Sequence, residues 1–198
     1  MPLTAVLIRS LVAVVPTRTI YSTQKIKRSL SLSAMENSSS SVLVLFGKTS
    51  VENELSQSMR NSKNLKLPDG SEVSILLSSE MEKSSDEESF RAESYMISLS
   101  TAQFGRFLIW SPRLASTHDV VSHNFSELPI GTACVADVQF KGRGRSKNTW
   151  ESPKGCLMFS FILQMEDGRI VPLLQYVVSL SITESIKVIC DAKVSAFI

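Results

Sequence analysis

Four cations stand at every second position of a glycine-containing stretch that joins two apolar runs. They are Lys141, Arg143, Arg145 and Lys147, and Gly142 and Gly144 separate the first three. An arginine side chain presents a planar fork of donors that matches a carboxylate or a phosphate, and glycine lets a ligand approach the backbone closely. These residue types indicate an anion-binding site. A solvated basic loop or a general nucleic-acid patch fits the same residues and stays open as the alternative.

The segment that carries these cations is longer than a hairpin needs. It runs over residues 141–154, between strand-like patterns at 132–140 and 155–165. Long connections without structure of their own are often functional, and neighbouring like charges repel one another. We therefore expect a mobile loop that becomes ordered when an anion binds, with Trp150 available to cover an apolar part of the ligand.

Two polar features upstream belong to the same candidate site. Ser116 and Thr117 stand at the head of a predicted helix over residues 118–125, where hydroxyl and N–H groups can hold an anionic or polar ligand group. An ordinary N-cap at Thr117 is the simpler interpretation of that pair, and Asp119 in the first turn favours the helix dipole. Gln139 ends the predicted strand, and its carboxamide can both donate and accept a hydrogen bond.

The elements that must position these residues alternate between strand and helix patterns, which favours an α/β or α+β architecture. Strands are predicted at 42–46, 73–77 and 107–110, besides the two that flank the cationic segment, and helices at 50–61, 91–104 and from Pro172 onward with a buried apolar face. We predict four parts: a leader at 1–35, a small β-α-β unit at 36–77, an acidic linker at 78–89, and a main domain at 90–198.

The leader has its own composition. The chain has a net charge of +2, but residues 1–35 hold five cations and no acid, which leaves a net charge of −3 for residues 36–198. A Ser- and Arg-rich leader without acid is typical of an organelle transit peptide, for chloroplast or mitochondrion. A disordered basic tail and a secretory signal are the alternatives. Arg9 interrupts its apolar run, so we expect no membrane span, and initiation at Met35 would give a cytosolic form.

Cysteine and histidine usage predicts no metal site. The three cysteines, Cys134, Cys156 and Cys190, are widely spaced in apolar surroundings, as expected of free thiols in a reducing compartment. The two histidines, His118 and His123, are five positions apart, which suits two ligands on one helix face poorly.

Together, these motifs resemble one family closely. The segments "STHD" at 116–119, Gln139, "KGRGRSKNTWESPKG" at 141–155 and "CLMFSF" at 156–161 match biotin–protein ligases, also called holocarboxylase synthetases, in residues, order and spacing. The leader and the β-α-β unit resemble the plant form. The resemblance implies an α+β fold with a mixed sheet flanked by helices, as in the biotin/lipoate ligase (class II synthetase-like) catalytic domain.

The resemblance also implies a two-step reaction and the residues that serve it. Biotin and ATP, with Mg²⁺, would give biotinyl-AMP, and a lysine on a biotin carboxyl carrier domain of a carboxylase would then receive the biotin. No membrane or nucleic-acid partner is implied. The family pattern assigns binding of biotin or biotinyl-AMP to Ser116, Thr117, His118, Gln139, Gly142, Arg143, Gly144, Arg145 and Trp150. The catalytic role falls to Arg143 and Arg145, and His118 departs from the family's frequent Asn.

A second departure concerns the end of the chain. Family members continue from the last helix into a strand with a K-W-P-N-D motif and then into a small barrel, which this sequence lacks. We therefore expect a shortened form with an exposed sheet edge and little or no ligase activity on its own. A non-catalytic regulatory or interaction fragment and a lipoate–protein ligase-like acyl transfer remain the alternative functions, and a nucleic-acid module is disfavoured by the acidic body.

Overall fold

The computed structural model describes residues 5–14, 41–68, 70–81, 88–144 and 148–190. The strands are β1 (Ala5–Val14), β2 (Ser41–Gly47), β3 (Val73–Leu77), β4 (Phe107–Ser111), β5 (Ala133–Ala136), β6 (Gln139–Arg143), β7 (Thr149–Ser152) and β8 (Cys156–Gln164). The helices are α1 (Ser50–Ser62), α2 (Ala92–Ser98), α3 (Thr117–His123) and α4 (Val171–Cys190), and single 3₁₀ turns lie at Ser78–Glu80 and Gly168–Ile170. None of the described helices is long and apolar enough to cross a membrane.

Within the described residues, six strands form one mixed sheet in the order β1-β8-β5-β4-β2-β3. The pairs β2–β3 and β4–β5 are parallel, and the other neighbours are antiparallel. Every residue of the central strand β4 is buried, because an apolar cluster covers each face of the sheet. The predicted α+β class with a mixed sheet and flanking helices is confirmed.

The elements β2, α1 and β3 form within one residue of the bounds predicted for them. Helix α1 begins after Thr49, whose backbone N–H donates to the Glu52 carboxylate at 2.6 Å, a capping-box contact. Strand β2 pairs with β4 as well as with β3, so the unit extends the main sheet. Leu43 accordingly shares one core cluster with Phe107. The linker at 78–89 thus joins two parts of one sheet, and its residues 82–87 lie outside the described chain.

Two predicted elements are shorter than expected. The helix predicted at 91–104 ends at Ser98, because Leu99 has an extended backbone conformation. The strand predicted at 132–140 breaks after Ala136, where the Asp137 carboxylate accepts hydrogen bonds from Trp110 Nε1 and the Phe90 N–H. The chain leaves the sheet at this point and continues into β6, which belongs to a separate two-stranded ribbon.

The edge that β8 would present is paired with β1, which is the end strand of the described sheet. Strand β1, which lies within the predicted leader, pairs antiparallel with β8 from Ala5 opposite Gln164 to Val14 opposite Cys156. The register shifts between Ile8 and Leu11. An apolar extended segment can satisfy the free N–H and C=O groups of such an edge. The targeting role of the leader remains a prediction, and Met35 lies outside the described residues.

Helix α4 differs from its prediction in burial. Its apolar stripe was predicted to be buried, but Leu173, Val177 and Leu180 are more than half exposed. In the described chain, α4 packs mainly along β1 and the 3₁₀ turn that precedes it. The remaining surface of the helix therefore faces outward, since helical periodicity predicts that a face is apolar but not what covers it.

Candidate functional site

The cationic segment folds largely as a β-ribbon, so the prediction of a long connection without structure of its own was wrong. Its predicted ordering by an anion stays a prediction. Strands β6 and β7 pair antiparallel, with Gly142 opposite Trp150 and Arg143 opposite Thr149. The N–H of Gly144 donates to the carbonyl of Asn148 at 2.8 Å and closes the ribbon. Only the tip at residues 145–147 is not described, and the proposed roles of Arg145 and Lys147 therefore lie outside the described residues.

The ribbon is fastened to the main sheet through the segment that follows β4. The N–H of Phe140 donates to the carbonyl of Leu114 at 3.1 Å, and the N–H of Lys141 donates to the carbonyl of Ala115 at 2.8 Å. The guanidinium of Arg113 lies 4.4 Å from the centre of the Phe140 ring, which adds a cation–π contact. These bonds place the first residues of β6 beside the start of α3.

Buried hydrogen bonds join Thr117 to Gln139, beside Ser116 at the start of α3. Helix α3 is capped by Ser116, one residue earlier than predicted, and the Ser116 Oγ accepts from the Asp119 N–H. The Gln139 Oε1 accepts from the Thr117 N–H at 3.0 Å and from the Thr117 hydroxyl at 3.3 Å. Gln139 is only 1% exposed. The carboxamide therefore fixes the beginning of α3 against the beginning of β6.

The two glycines of β6 and its turn allow close packing. A Cβ on Gly142 would lie 2.1 Å from Nε2 of Gln139, and a Cβ on Gly144 would lie 2.3 Å from Nε1 of Trp150. Neither glycine has a positive φ, so space rather than backbone conformation requires glycine at both positions. The Trp150 side chain is 53% exposed, whereas that of Gln139 is buried.

An ion pair connects β6 to α3. The Arg143 Nε donates to the two carboxylate oxygens of Asp119 at 2.9 and 3.2 Å, and Nη2 donates to one of them at 3.2 Å. The Asp119 side chain is 9% exposed and that of Arg143 is 58% exposed. Hydrogen bonding and charge attraction from Asp119 raise the pKa of Arg143. No local sequence pattern predicts this pair, because its oppositely charged members are 24 positions apart.

A cleft of about 670 Å³ opens beside the ribbon. Residues 115–116, Asp119 and residues 140–144 line one side. The β-α-β unit supplies the other side through Ser41, Leu67, Pro68 and Ser71, none of which was predicted as a site residue. The charged groups on the first side are Lys141, Arg143 and Asp119, which gives the cleft a positive rim.

The structure brings together only part of the predicted site. Ser116, Gly142, Arg143 and Gly144 line the cleft. Thr117 and Gln139 are buried behind it, and His118 and Trp150 are not among the residues that line it. The cleft therefore combines the cations Lys141 and Arg143 with polar side chains, and anion binding there stays a prediction.

The His, Cys, Asp and Glu side chains of the described part of the chain bear on the predictions for metal ligands and cysteines. In the ranges that the structure describes, no three His, Cys, Asp or Glu side chains form a group suited to a metal ion. Cys134 is a buried free thiol, as predicted, and burial raises its pKa, which suppresses the thiolate form. Cys156 is a half-buried free thiol, and the Cys190 side chain lies outside the described residues.

Known proteins similar to this chain agree on one family. The model of the biotin/lipoate A/B protein ligase family matches residues 110–196. Biotin–protein ligase 1, chloroplastic, of Arabidopsis thaliana is 58% identical over 178 residues, which are 89% of this chain and 48% of that protein. Biotin–protein ligase 2 of the same plant is 60% identical over 161 residues, 80% of this chain and 49% of its own length.

A more distant relative matches a smaller region. The biotin–protein ligase of Homo sapiens is 30% identical over 106 residues, or 50% of this chain and 15% of that protein. The chain spans about half the length of the two plant relatives. By the family match and the plant relatives, the chain is similar to plant biotin–protein ligases and, over residues 110–196, to the biotin/lipoate A/B protein ligase family.

Proposed function

We propose that this chain binds biotin and its adenylate in the cleft beside the β6–β7 ribbon, as part of a biotin–protein ligase reaction. One observation carries the proposal: three separate segments of the family motif, at 116–117, 139 and 142–144, meet at one place in the fold. The names of the plant relatives favour biotin over lipoate.

The proposed reaction has two steps. A carboxylate oxygen of biotin attacks the α-phosphorus of ATP, and the bond to the departing pyrophosphate breaks. The amine of a carrier-domain lysine then attacks the carbonyl carbon of biotinyl-AMP, loses a proton, and forms an amide while AMP leaves. Biotin carboxyl carrier domains of carboxylases are the proposed acceptors.

The residues of the cleft suit the first step by their charge. Two anions must approach each other, and fixed cations lower the electrostatic cost of that approach. Lys141 and Arg143 occupy alternate positions of β6 on the cleft side. We assign the contact with the carboxylate and phosphate to Arg143, and we extend the same role to Arg145 at the undescribed tip.

The remaining assignments concern shape and polarity. Ser116 would offer its hydroxyl to the ligand, while Thr117 and Gln139 would form the buried polar floor that holds Ser116 in place. Gly142 and Gly144 would let the ligand reach the ribbon backbone. His118 would flank biotin, and the exposed indole of Trp150 would cover the nucleotide. Mg²⁺ would enter bound to the ATP phosphates and neutralise part of their charge.

A binding measurement with the full 198-residue chain tests the proposal. Isothermal titration with a non-hydrolysable biotinol-adenylate, with biotin and with lipoic acid should show binding of the first two and a clear preference over lipoic acid. Arg143→Gln should weaken adenylate binding at least tenfold, since a hydrogen-bonded charge contact is worth about 1.5–3 kcal/mol. The matched control is Arg169→Gln, which breaks a similar ion pair with Asp167 on an exposed turn. Failure of the wild-type chain to bind the adenylate would refute the proposal.

Turnover needs a separate assay because the chain covers about half of its plant relatives. We infer that the chain alone has weak activity or none toward a biotin carboxyl carrier domain with ATP and Mg²⁺. Sustained biotinylation by the purified chain, at a rate that falls with Arg143→Gln, would contradict the inference of weak activity.

We also propose that residues 1–35 direct the chain to the chloroplast. The basic, acid-free composition of this segment and the name of one plant relative support the assignment. A fluorescent protein fused behind residues 1–35 should accumulate in plastids. Accumulation in mitochondria would favour the other organelle, and a diffuse cytosolic signal would refute import.

A further inference from the structure

Asp119 lines the cleft, but the proposed reaction assigns it no contact with the ligand. Its carboxylate is 9% exposed, and a buried carboxylate is costly unless a charged or hydrogen-bonding partner accompanies it. Arg143 supplies that partner through three hydrogen bonds of 2.9–3.2 Å. Both residues line the same cleft. A ligand that binds Arg143 there therefore binds an arginine that Asp119 already holds in place.

We propose that Asp119 is a positioning residue, which grips one edge of the Arg143 guanidinium and turns the other edge toward the anionic ligand. The proposal rests on the proposed function. A guanidinium has five N–H donors arranged in a rigid fork. Asp119 uses the Nε side of that fork together with Nη2. The edge formed by Nη1 and the second hydrogen of Nη2 is the part that can form a bidentate contact with a carboxylate or a phosphate.

Sharing the guanidinium is favoured over displacing it. A ligand that pulled Arg143 away entirely would leave the buried charge of Asp119 uncompensated, which is strongly unfavourable. A ligand that binds the opposite edge keeps the ion pair intact. The geometry therefore selects ligands whose anionic group reaches the cleft on the side away from α3.

The charge of Asp119 gives this role a recognisable signature. A carboxylate beside the cleft does not attract anions, so it can help an anionic ligand only by orienting Arg143. A small, nearly symmetric anion such as inorganic phosphate needs little orientation and should bind no more weakly after the carboxylate is neutralised. An extended ligand such as the adenylate must contact Arg143 and the rest of the cleft at the same time. It should therefore bind more weakly after the Asp119 carboxylate is neutralised.

The test compares Asp119→Asn, Asp119→Glu and wild type in the full chain, titrated with biotinol-adenylate and with inorganic phosphate. Asp119→Asn should weaken adenylate binding on the order of tenfold, as for loss of a charge-assisted hydrogen bond, while phosphate binding stays unchanged or becomes tighter. Asp119→Glu keeps the charge and should give an intermediate adenylate affinity. Asp167→Asn, which removes the carboxylate from the similar pair with Arg169, is the matched control and should change neither affinity.

A double substitution shows whether the effect passes through the arginine. In an Arg143→Gln background, adding Asp119→Asn should cause no further loss of adenylate affinity. Unchanged adenylate binding by Asp119→Asn, or an equal loss for adenylate and phosphate, would overturn the positioning role. If Asp119→Asn does not fold, Asp119→Glu decides by the same comparison. A wild-type chain that binds no adenylate overturns the proposed function and this inference together.

Discussion

Replacing Gly142 by alanine is the most direct test of how the site is assembled. The new Cβ would lie 2.1 Å from Nε2 and 3.0 Å from Cδ of Gln139, and 3.2 Å from the carbonyl oxygen of Trp150. Ordinary contacts of a Cβ begin at about 3.4 Å. Because the Gln139 side chain is buried and bonded to Thr117, it must shift by more than 1 Å, about the difference between these distances.

The size of the effect follows from what the shift breaks. Overpacking a well-packed site costs about 1–3 kcal/mol, and leaving a buried polar group without its hydrogen bond costs about 1–3 kcal/mol. These costs overlap, so we expect Gly142→Ala to lower the free energy of unfolding by about 2–4 kcal/mol. For a chain of this length, that corresponds to a fall in Tm of roughly 4–16 °C.

Thermal and urea unfolding followed by circular dichroism measure this change. Gly168→Ala is the control, because nothing lies within 4 Å of its would-be Cβ and its φ is not positive. It should be neutral or slightly stabilising, since alanine restricts the unfolded chain. In a Gln139→Ala background, the cost of Gly142→Ala should shrink markedly. A Gly142→Ala variant as stable as Gly168→Ala would refute the proposed packing.

Three further predictions concern the rest of the chain. Burial acts to raise the pKa of Glu52, but hydrogen bonds from Thr49 and Arg106 outweigh it and hold that pKa below its ordinary value. The stabilisation by Glu52 is therefore present above the pKa of the unfolded chain and lost as the pH falls through the lower native pKa. Glu52→Gln should cost about 1 kcal/mol at pH 7 in urea unfolding, and a difference that persists in acid would contradict this. Leu180 is 58% exposed, so Leu180→Gln should change the unfolding free energy by less than about 0.5 kcal/mol; a cost of several kcal/mol would mean that its face is covered. Deleting residues 1–14 should speed amide hydrogen exchange in β8, and unchanged exchange would argue against the β1–β8 pairing.

The sequence predicts well those features that depend on neighbouring residues. Helix α1 shows its start in Thr49 and Glu52, because a capping box is a contact over three positions. The strands β2, β3 and β4 are short apolar runs between turn signals, and their bounds were predicted within one or two residues. The motif at 116–117, 139 and 142–144 was recognised because its residue types and order are specific.

Features that depend on distant pairing could not be predicted in the same way. Glycine-rich cationic segments can form loops or ribbons, and only the pairing of Gly142 with Trp150 decides between them. The Asp119–Arg143 pair and the wall that Leu67 and Ser71 supply to the cleft are tertiary contacts without a local pattern. Helix α4 has the periodicity of a buried element, yet its exposure depends on which surfaces are near it.

Because β1 lies within the predicted targeting leader, its pairing with β8 limits the time in which an import receptor can bind the leader. Residues 5–14 leave the ribosome long before the partner strand β8 at 156–164, and at 5–20 residues per second the interval is roughly 7–30 s. During that interval the leader has no edge to pair with and is accessible to an import receptor. Once β8 has joined the sheet, the same backbone groups are engaged. If the leader is a targeting segment, the rates of synthesis and folding determine how long an import receptor can bind it. Chains that fold before a receptor binds them stay in the compartment where they were made.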